Sequence, residues 1–301
     1  MVSAMREILT IRTPEKFNFK TTLTSHGWVE LAPFSHDDEF SLLHRIHRLE
    51  DGLVLHLVFQ VDEHENIRVN LADEFPGLTD TQREEISAAT RRIFNLNLDL
   101  SDFYTRIQNE ERYHWVIESG AGRLLRAPGV WEDLVKTLMT TNTTWATTRN
   151  IVQRINNLGD RFQGEIHTFP LPERVAALTF DELSQAIRAG YRAEYLHLLA
   201  QAITTGNLDV ESWQHKDSTD GLYENIIQLK GFGPYAAGSV VKLLGGFEHL
   251  ALDSAIRDMF AREFNNGEKT SDAEIRAHYE PYGKWQGLVA WMDLMKTAWE
   301  K

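Results

Sequence analysis

The chain has 301 residues, 42% of them apolar and 25% charged, with no cysteine and a formal net charge of −13. This length and balance suit a soluble globular protein with a sizeable core, while the missing cysteines exclude disulfides, thiolate zinc sites and a cysteine-ligated iron–sulfur cluster. The acidic charge gives no global field for nucleic acid, so any such partner must be met by a local face and backbone amides.

From the N-terminus, MVSAMREILTIRTPEKF shows no secretory pattern, and no apolar run is long enough to span a membrane. A cytoplasmic location is therefore expected, nucleoid-associated if the source is bacterial. Residues 1 to about 75 read as mixed and strand-rich. Leu53–Val61 is dense in strand formers and Asn66–Leu71 alternates with period two, so the two should pair as a hairpin across Asp62–Glu65. Thr81-Gln82-Arg83-Glu84 has the form of a capping box opening a helix towards Phe94. His44-Arg45-Ile46-His47 has a spacing that would put two histidines on one helical face, but no third ligand accompanies it and no catalytic metal is expected. Beyond Glu118 the pattern is almost wholly helical, in Trp131–Met139, Trp145–Ile155, Phe180–Ala189, Glu194–Ile203 and Leu222–Leu229, punctuated by proline and glycine. The expected organisation is an α+β domain over 1–115 and a mainly helical domain over 116–301.

The most informative stretch runs from Tyr223 to Arg262. A helix ends near Leu229-Lys230, Gly231-Phe232-Gly233 makes a tight link, and Pro234 suits the first turn of a second helix. The free amides at such a helix start can hold a phosphate. By itself this is an ordinary helix–helix corner. Asp253 then precedes an amphipathic helix from Ser254 to Phe264. An aspartate there is a natural N-cap. The same carboxylate could also stabilise a developing cation beside a breaking glycosidic bond.

Together, LKGFGPYAAG and LALDSAIRDMF resemble the hairpin, glycine/proline-rich loop and aspartate of the helix-hairpin-helix (HhH-GPD) DNA glycosylase superfamily. Lys230 and Phe232 depart from the usual Leu-Pro-Gly-Val-Gly hairpin of that family. Further segments are similar in the family's order. Arg91–Tyr104 resembles the joining segment of bacterial inducible 3-methyladenine DNA glycosylases, and Arg123–Trp145 the first core helix and its minor-groove loop. Gly190–Leu196 resembles a motif of the 8-oxoguanine glycosylases, and Tyr279–Trp291 the final pocket-lining helix. The resemblance implies an N-terminal domain with an antiparallel sheet and helices, like one repeat of the TATA-binding protein, followed by a helical glycosylase core with a cleft.

The resemblance also implies roles. Asp253 would be the catalytic carboxylate, and Tyr235, Trp291, Gly287, Trp28 and Ser239 the base pocket. Leu229, Lys230, Gly231, Phe232, Gly233 and Pro234, with Asn142, Thr143 and Arg257, would meet DNA. Tyr235 stands where bifunctional members carry a nucleophilic lysine, and a phenol cannot form a Schiff base, so hydrolysis without strand cleavage is expected. Gly287 stands where 8-oxoguanine enzymes place a base-reading glutamine. That absence, and the attraction of aromatic faces for a cation, favour alkylated purines. No cofactor is implied beyond a monovalent cation, Na+ or K+, on the carbonyls of Leu229, Gly231 and Gly233 while DNA is bound. The expected partner is duplex DNA with a damaged base, met by a monomer. An 8-oxoguanine-directed relative and a catalytically silent DNA-structure binder are the competing readings.

Overall fold

The computed structural model describes residues 5–73, 77–215, 219 and 221–299. They fall into two compact units, each made from two stretches of chain: residues up to Asn97 with Arg123–Glu211, and Leu98–Gly122 with residues from Ser212 onward. The expected division at 115/116 thus differs from the one in the structure, because a short excursion after the first domain joins the C-terminal helices.

In the first unit, β1 (Arg6–Ile11), β2 (Phe34–His36), β3 (Leu43–Arg48), β4 (Val54–Val61) and β5 (Ile67–Leu71) form an antiparallel sheet in the order β1-β5-β4-β3-β2. The expected hairpin is β4 with β5, in a register that sets Val61 opposite Ile67 and Leu57 opposite Leu71. Its turn is made by Asp62, whose Oδ1 accepts the amides of His64 and Asn66, each at 2.9 Å. Helix α1 (Phe19–Leu23) follows the edge strand β1 in sequence and α2 (Asp80–Ile93) follows β5. The capping box of α2 begins at Thr79 rather than Thr81: Thr79 bonds the Gln82 amide and Gln82 bonds back to Thr79. Two overlapping T-x-x-[EQ] patterns compete here, and the earlier one wins.

The segment with His44 and His47 is strand β3, so the two side chains face opposite sides of the sheet and the helical-face reading fails. His44 Nδ1 lies 3.0 Å from His56 Nε2 on the neighbouring strand. His47 is buried, and its Nε2 has no hydrogen-bond partner. Burial, with Arg45 adding repulsion, lowers its pKa to about 3. Below the ordinary histidine value the unfolded chain therefore takes up a proton that the folded chain refuses. Stability conferred by the neutral ring is complete above pH 6.5 and declines as the pH falls towards 3, by up to about 5 kcal/mol. Thermal melts between pH 7 and 5 should show this slope, and His47→Phe should flatten it. An unchanged slope in the variant would remove His47 from the account.

The same unit continues through α5 (Val130–Thr140), α6 (Trp145–Asn156), a small hairpin β6 (Arg161–Gln163) and β7 (Ile166–His167), then α7 (Pro172–Ala176), α8 (Phe180–Ile187) and α9 (Arg192–Thr204). Helix α5 is buried along its whole length from Val130 to Met139, charged residues included. Glu132 is bonded through both oxygens to Arg45, at 3.0 and 2.6 Å, and lies 2.7 Å from Lys136 Nζ. Next to it, Asp133 accepts the Trp28 indole N–H and the Ala127 amide, each at 2.9 Å.

The second unit holds α3 (Ser101–Ile107), α4 (His114–Glu118), α10 (Leu222–Ile227), α11 (Pro234–Leu243), α12 (Ser254–Phe264), α13 (Asp272–Tyr279) and α14 (Gln286–Trp299). Phe103, Ile107, Phe247, Ile256, Met259, Leu288 and Val289 close its core. A carboxylate lies inside it. Asp293 accepts from Tyr113 at 3.0 Å, Tyr279 at 2.9 Å and Arg112 at 2.5 Å, so both of its oxygens are hydrogen-bonded.

Candidate active site

The hairpin between α10 and α11 is built by backbone geometry. The Phe232 amide bonds Leu229 O at 3.0 Å, and Gly231 takes φ +92°, where a Cβ would be strained. Phe232 is the buried anchor of the turn. Gly233 is extended and a Cβ there would meet nothing, so this glycine keeps the approach to α11 bare rather than relieving strain. Pro234 opens α11 and no side chain caps it, which leaves first-turn amides available to an anion. Lys230, Gly233 and Pro234 are exposed, while Leu229 and Gly231 are half-buried. The Leu229 and Gly233 carbonyls accept the Phe232 and Ala237 amides and each retains a second lone pair.

Helix α11 also positions the carboxylate. A Cβ on Gly238 would stand 3.3 Å from the Cβ of Ala251, so the glycine allows the segment before α12 to lie close on α11. Two residues later Asp253 caps α12, its Oδ1 accepting the Ile256 amide at 2.8 Å. Its Oδ2 accepts no hydrogen bond from a described residue. Half of this carboxylate is therefore structural and half is available. Tyr235, Ser239 and Lys242 follow one another at spacings of four and three, which sets them on one face of α11. Tyr235 and Ser239 are half-buried, whereas Lys242 is only 4% exposed.

The third element is α14. The Gly287 amide bonds Phe247 O at 2.7 Å, and a Cβ at 287 would lie 2.5 Å from His249 O. Gln286 Nε2 holds Glu248 O at 2.7 Å. These contacts fix the start of α14 on the loop after α11 and carry Trp291, one turn later, to the end of Lys242. The Lys242 Nζ lies 4.3 Å from the Trp291 ring centroid. Burial lowers the Lys242 pKa to about 8, opposed by the negative charge of Asp253. Gly287 thus contributes backbone packing, and a glutamine cannot stand there without displacing the 247–249 carbonyls.

Residues 135–284 match the model of the HhH-GPD superfamily base excision DNA repair protein. This chain belongs to the HhH-GPD superfamily. It is 26% identical over 189 residues to a Methanothermobacter thermautotrophicus protein named "Probable N-glycosylase/DNA lyase", an alignment covering 56% of this chain and 58% of the relative. The chain therefore spans little more than half the length of that relative. Its fold is similar to the 3-methyladenine DNA-glycosylase of Archaeoglobus fulgidus, with a TM-score of 0.75 at 15% identity over 97% of this chain and 98% of the other. It is likewise similar to the Clostridium acetobutylicum 8-oxoguanine glycosylase/lyase bound to duplex DNA, with a TM-score of 0.73 at 17% identity over 98% and 97%. At those identities the two structures establish the fold.

Within this HhH-GPD chain the expected site residues divide between the units. Asp253, Tyr235, Ser239, Gly287, Trp291, Arg257 and the hairpin belong to the second unit, and Trp28, Asn142 and Thr143 to the first. Asn142 is exposed with φ +46°, its Nδ2 3.3 Å from the Tyr191 hydroxyl. The loop carrying it is held by Arg192, which bonds Thr141 O at 2.9 Å and Asn142 O at 2.8 Å. Arg192 is thereby a clamp on that loop. Arg257 forms a two-pronged ion pair with Asp272, at 2.7 and 3.0 Å, so reaching a phosphate would require giving up that pair. Trp28 is buried, with its N–H already given to Asp133. Among the described residues no cluster of three or more His, Asp or Glu side chains suits a metal. Sequence reasoning passed over Lys242, although a lysine set among Val240, Val241 and Leu243 was a signal of a buried charge.

Proposed function

We propose that this chain is a DNA N-glycosylase that removes a damaged purine from duplex DNA by hydrolysis and leaves the strand intact. The observation that carries the reading is the Asp253 carboxylate: Oδ1 tied to α12, Oδ2 unspent, on the element next to the hairpin helix. The hairpin amides and the bare surface at Gly233 suit a phosphate, which fixes register without a global basic field. Trp291 and Tyr235 offer aromatic surface for stacking an extruded base. The C1′–N9 bond breaks with its electron pair leaving on the base, which takes up a proton. Water adds to C1′ as Asp253 stabilises the cationic sugar and receives the water's proton.

Tyr235, two residues after the second hairpin glycine, cannot form a Schiff base and so supports hydrolysis without strand cleavage. The preference for an alkylated, cationic purine rests on the attraction of aromatic faces for a cation and on the missing glutamine at Gly287. Lys242 sets its ammonium against one face of Trp291, so a cationic purine stacked on the other face would meet like charge, which weighs against the first of these grounds.

Single-turnover excision from duplexes carrying 7-methylguanine, 8-oxoguanine or hypoxanthine, with alkali applied separately, tests the reading. Base release with breakage only after alkali is the expected result. Binding without any release would make the chain a silent binder. Breakage before alkali, trapped by borohydride at Lys242, would make it a lyase.

A further inference from the structure

Among the described residues two lysines are buried, and their surroundings differ sharply. Lys136 is bonded to Glu132 at 2.7 Å and reaches Leu31 O at 3.4 Å, as a lysine with a structural task should be. Lys242 is 4% exposed, yet among the described residues its ammonium meets only the charge of Asp253 and the Trp291 face, with no hydrogen-bond acceptor. An ammonium has three donors, and no described residue takes any of them, which leaves them to water or to a ligand.

Its neighbours are the residues on which base removal would depend. Trp291 supplies the aromatic face, Asp253 the carboxylate, and Tyr235 and Ser239 share the same side of α11. Position 287, one turn before Trp291, has no side chain and no room for one. Polar reading of a base stacked on Trp291 must come from another group, and Lys242 has unspent donors next to that ring.

We propose that Lys242 is the specificity-determining residue of this site, its ammonium admitting an uncharged purine that presents a hydrogen-bond acceptor and excluding purines that carry positive charge. This rests on the glycosylase reading above. The physical basis is twofold. A carbonyl or ring nitrogen of the base satisfies donors that otherwise remain bare, and a site left with unpaired polar groups strongly rejects a base that lacks the acceptor. A cationic base on the same indole meets like charge in a poorly solvated place, which disfavours it by about 100-fold. Asp253 lies on the other side of the account: its negative charge favours the protonated form of Lys242.

The test compares wild type, Lys242→Met and Lys242→Gln on duplexes with a single 8-oxoguanine, hypoxanthine or 7-methylguanine, by single-turnover excision. The same bases on 2′-fluorinated sugars, which resist excision, are measured by equilibrium binding with Asp253 intact, and melting temperatures are recorded. Wild type should favour the uncharged bases over 7-methylguanine by about 100-fold. Lys242→Met should lose that ratio while melting no lower than wild type, an outcome a packing role would not produce. Lys242→Gln keeps a donor without charge, so it should retain the uncharged bases and admit 7-methylguanine, and it decides the matter if the methionine variant does not fold. An unchanged ratio in a folded variant, or a wild type that prefers 7-methylguanine, overturns the proposal. If no base is excised, discrimination in binding that Lys242→Met abolishes sustains the proposal and sinks only the glycosylase reading; binding without discrimination sinks both.

Discussion

Asp253→Asn should reduce single-turnover excision by about 1,000-fold and leave duplex affinity within a factor of two or three. The substitution is informative because it separates the two tasks of this side chain. Asparagine is as good an N-cap as aspartate, so the amide oxygen can keep the 2.8 Å bond to the Ile256 amide and α12 stays anchored. What it loses is the negative charge and the basic lone pair on the unspent oxygen. A neutral amide neither stabilises a cationic sugar nor accepts the proton of an attacking water. Asp253→Ala would confuse the result, since it also costs the cap about 1 kcal/mol, whereas the loss of Lys242's counter-charge is common to both variants. Matched rates for wild type and Asp253→Asn, at equal binding, would end the catalytic reading of this residue.

Hairpin and carboxylate were legible in the sequence because their determinants are local. Gly231, Pro234 and Asp253 each act through backbone conformation within a few residues, and the structure puts each in the element expected of it. The β4–β5 hairpin was legible for the same reason, with Asp62 ordering its own turn. Contacts between distant segments were not legible. Gly287 looked like a lost glutamine, whereas its reason is the 247–249 backbone passing 2.5 Å from where a Cβ would be. Lys242 drew no notice in the sequence, and only the fold brings Trp291 onto it. The interleaved units were hidden as well, since no composition change marks Leu98 or Arg123 as a crossing point.

Among the substitutions with purely structural consequences, Glu132→Ala should be the most damaging, lowering unfolding free energy by about 3–5 kcal/mol. Glu132 sits on a helix buried on all sides, and burial alone would raise its pKa; Arg45 and Lys136 overcome that and hold it down to about 2. Removing it leaves a guanidinium and an ammonium, both at most 3% exposed, facing each other without an anion. Repulsion and lost solvation then act together, and the nearby Asp133 is a poor substitute, because its Oδ1 is engaged by Trp28 and Ala127 and its Oδ2 faces Arg126 at 3.5 Å. The stability supplied by this carboxylate is present above pH 4.5 and is lost as the pH falls towards 2, so acid and mutation should fail to add. Replacing Arg45, Glu132 and Lys136 together by apolar residues of similar volume should recover most of the loss, because the cost lies in the unpaired charges rather than in the absent pair. Urea denaturation of the single and triple variants, compared at constant slope, measures both effects. A single variant within 1 kcal/mol of wild type would mean that water or another side chain reaches the cluster and compensates the charge.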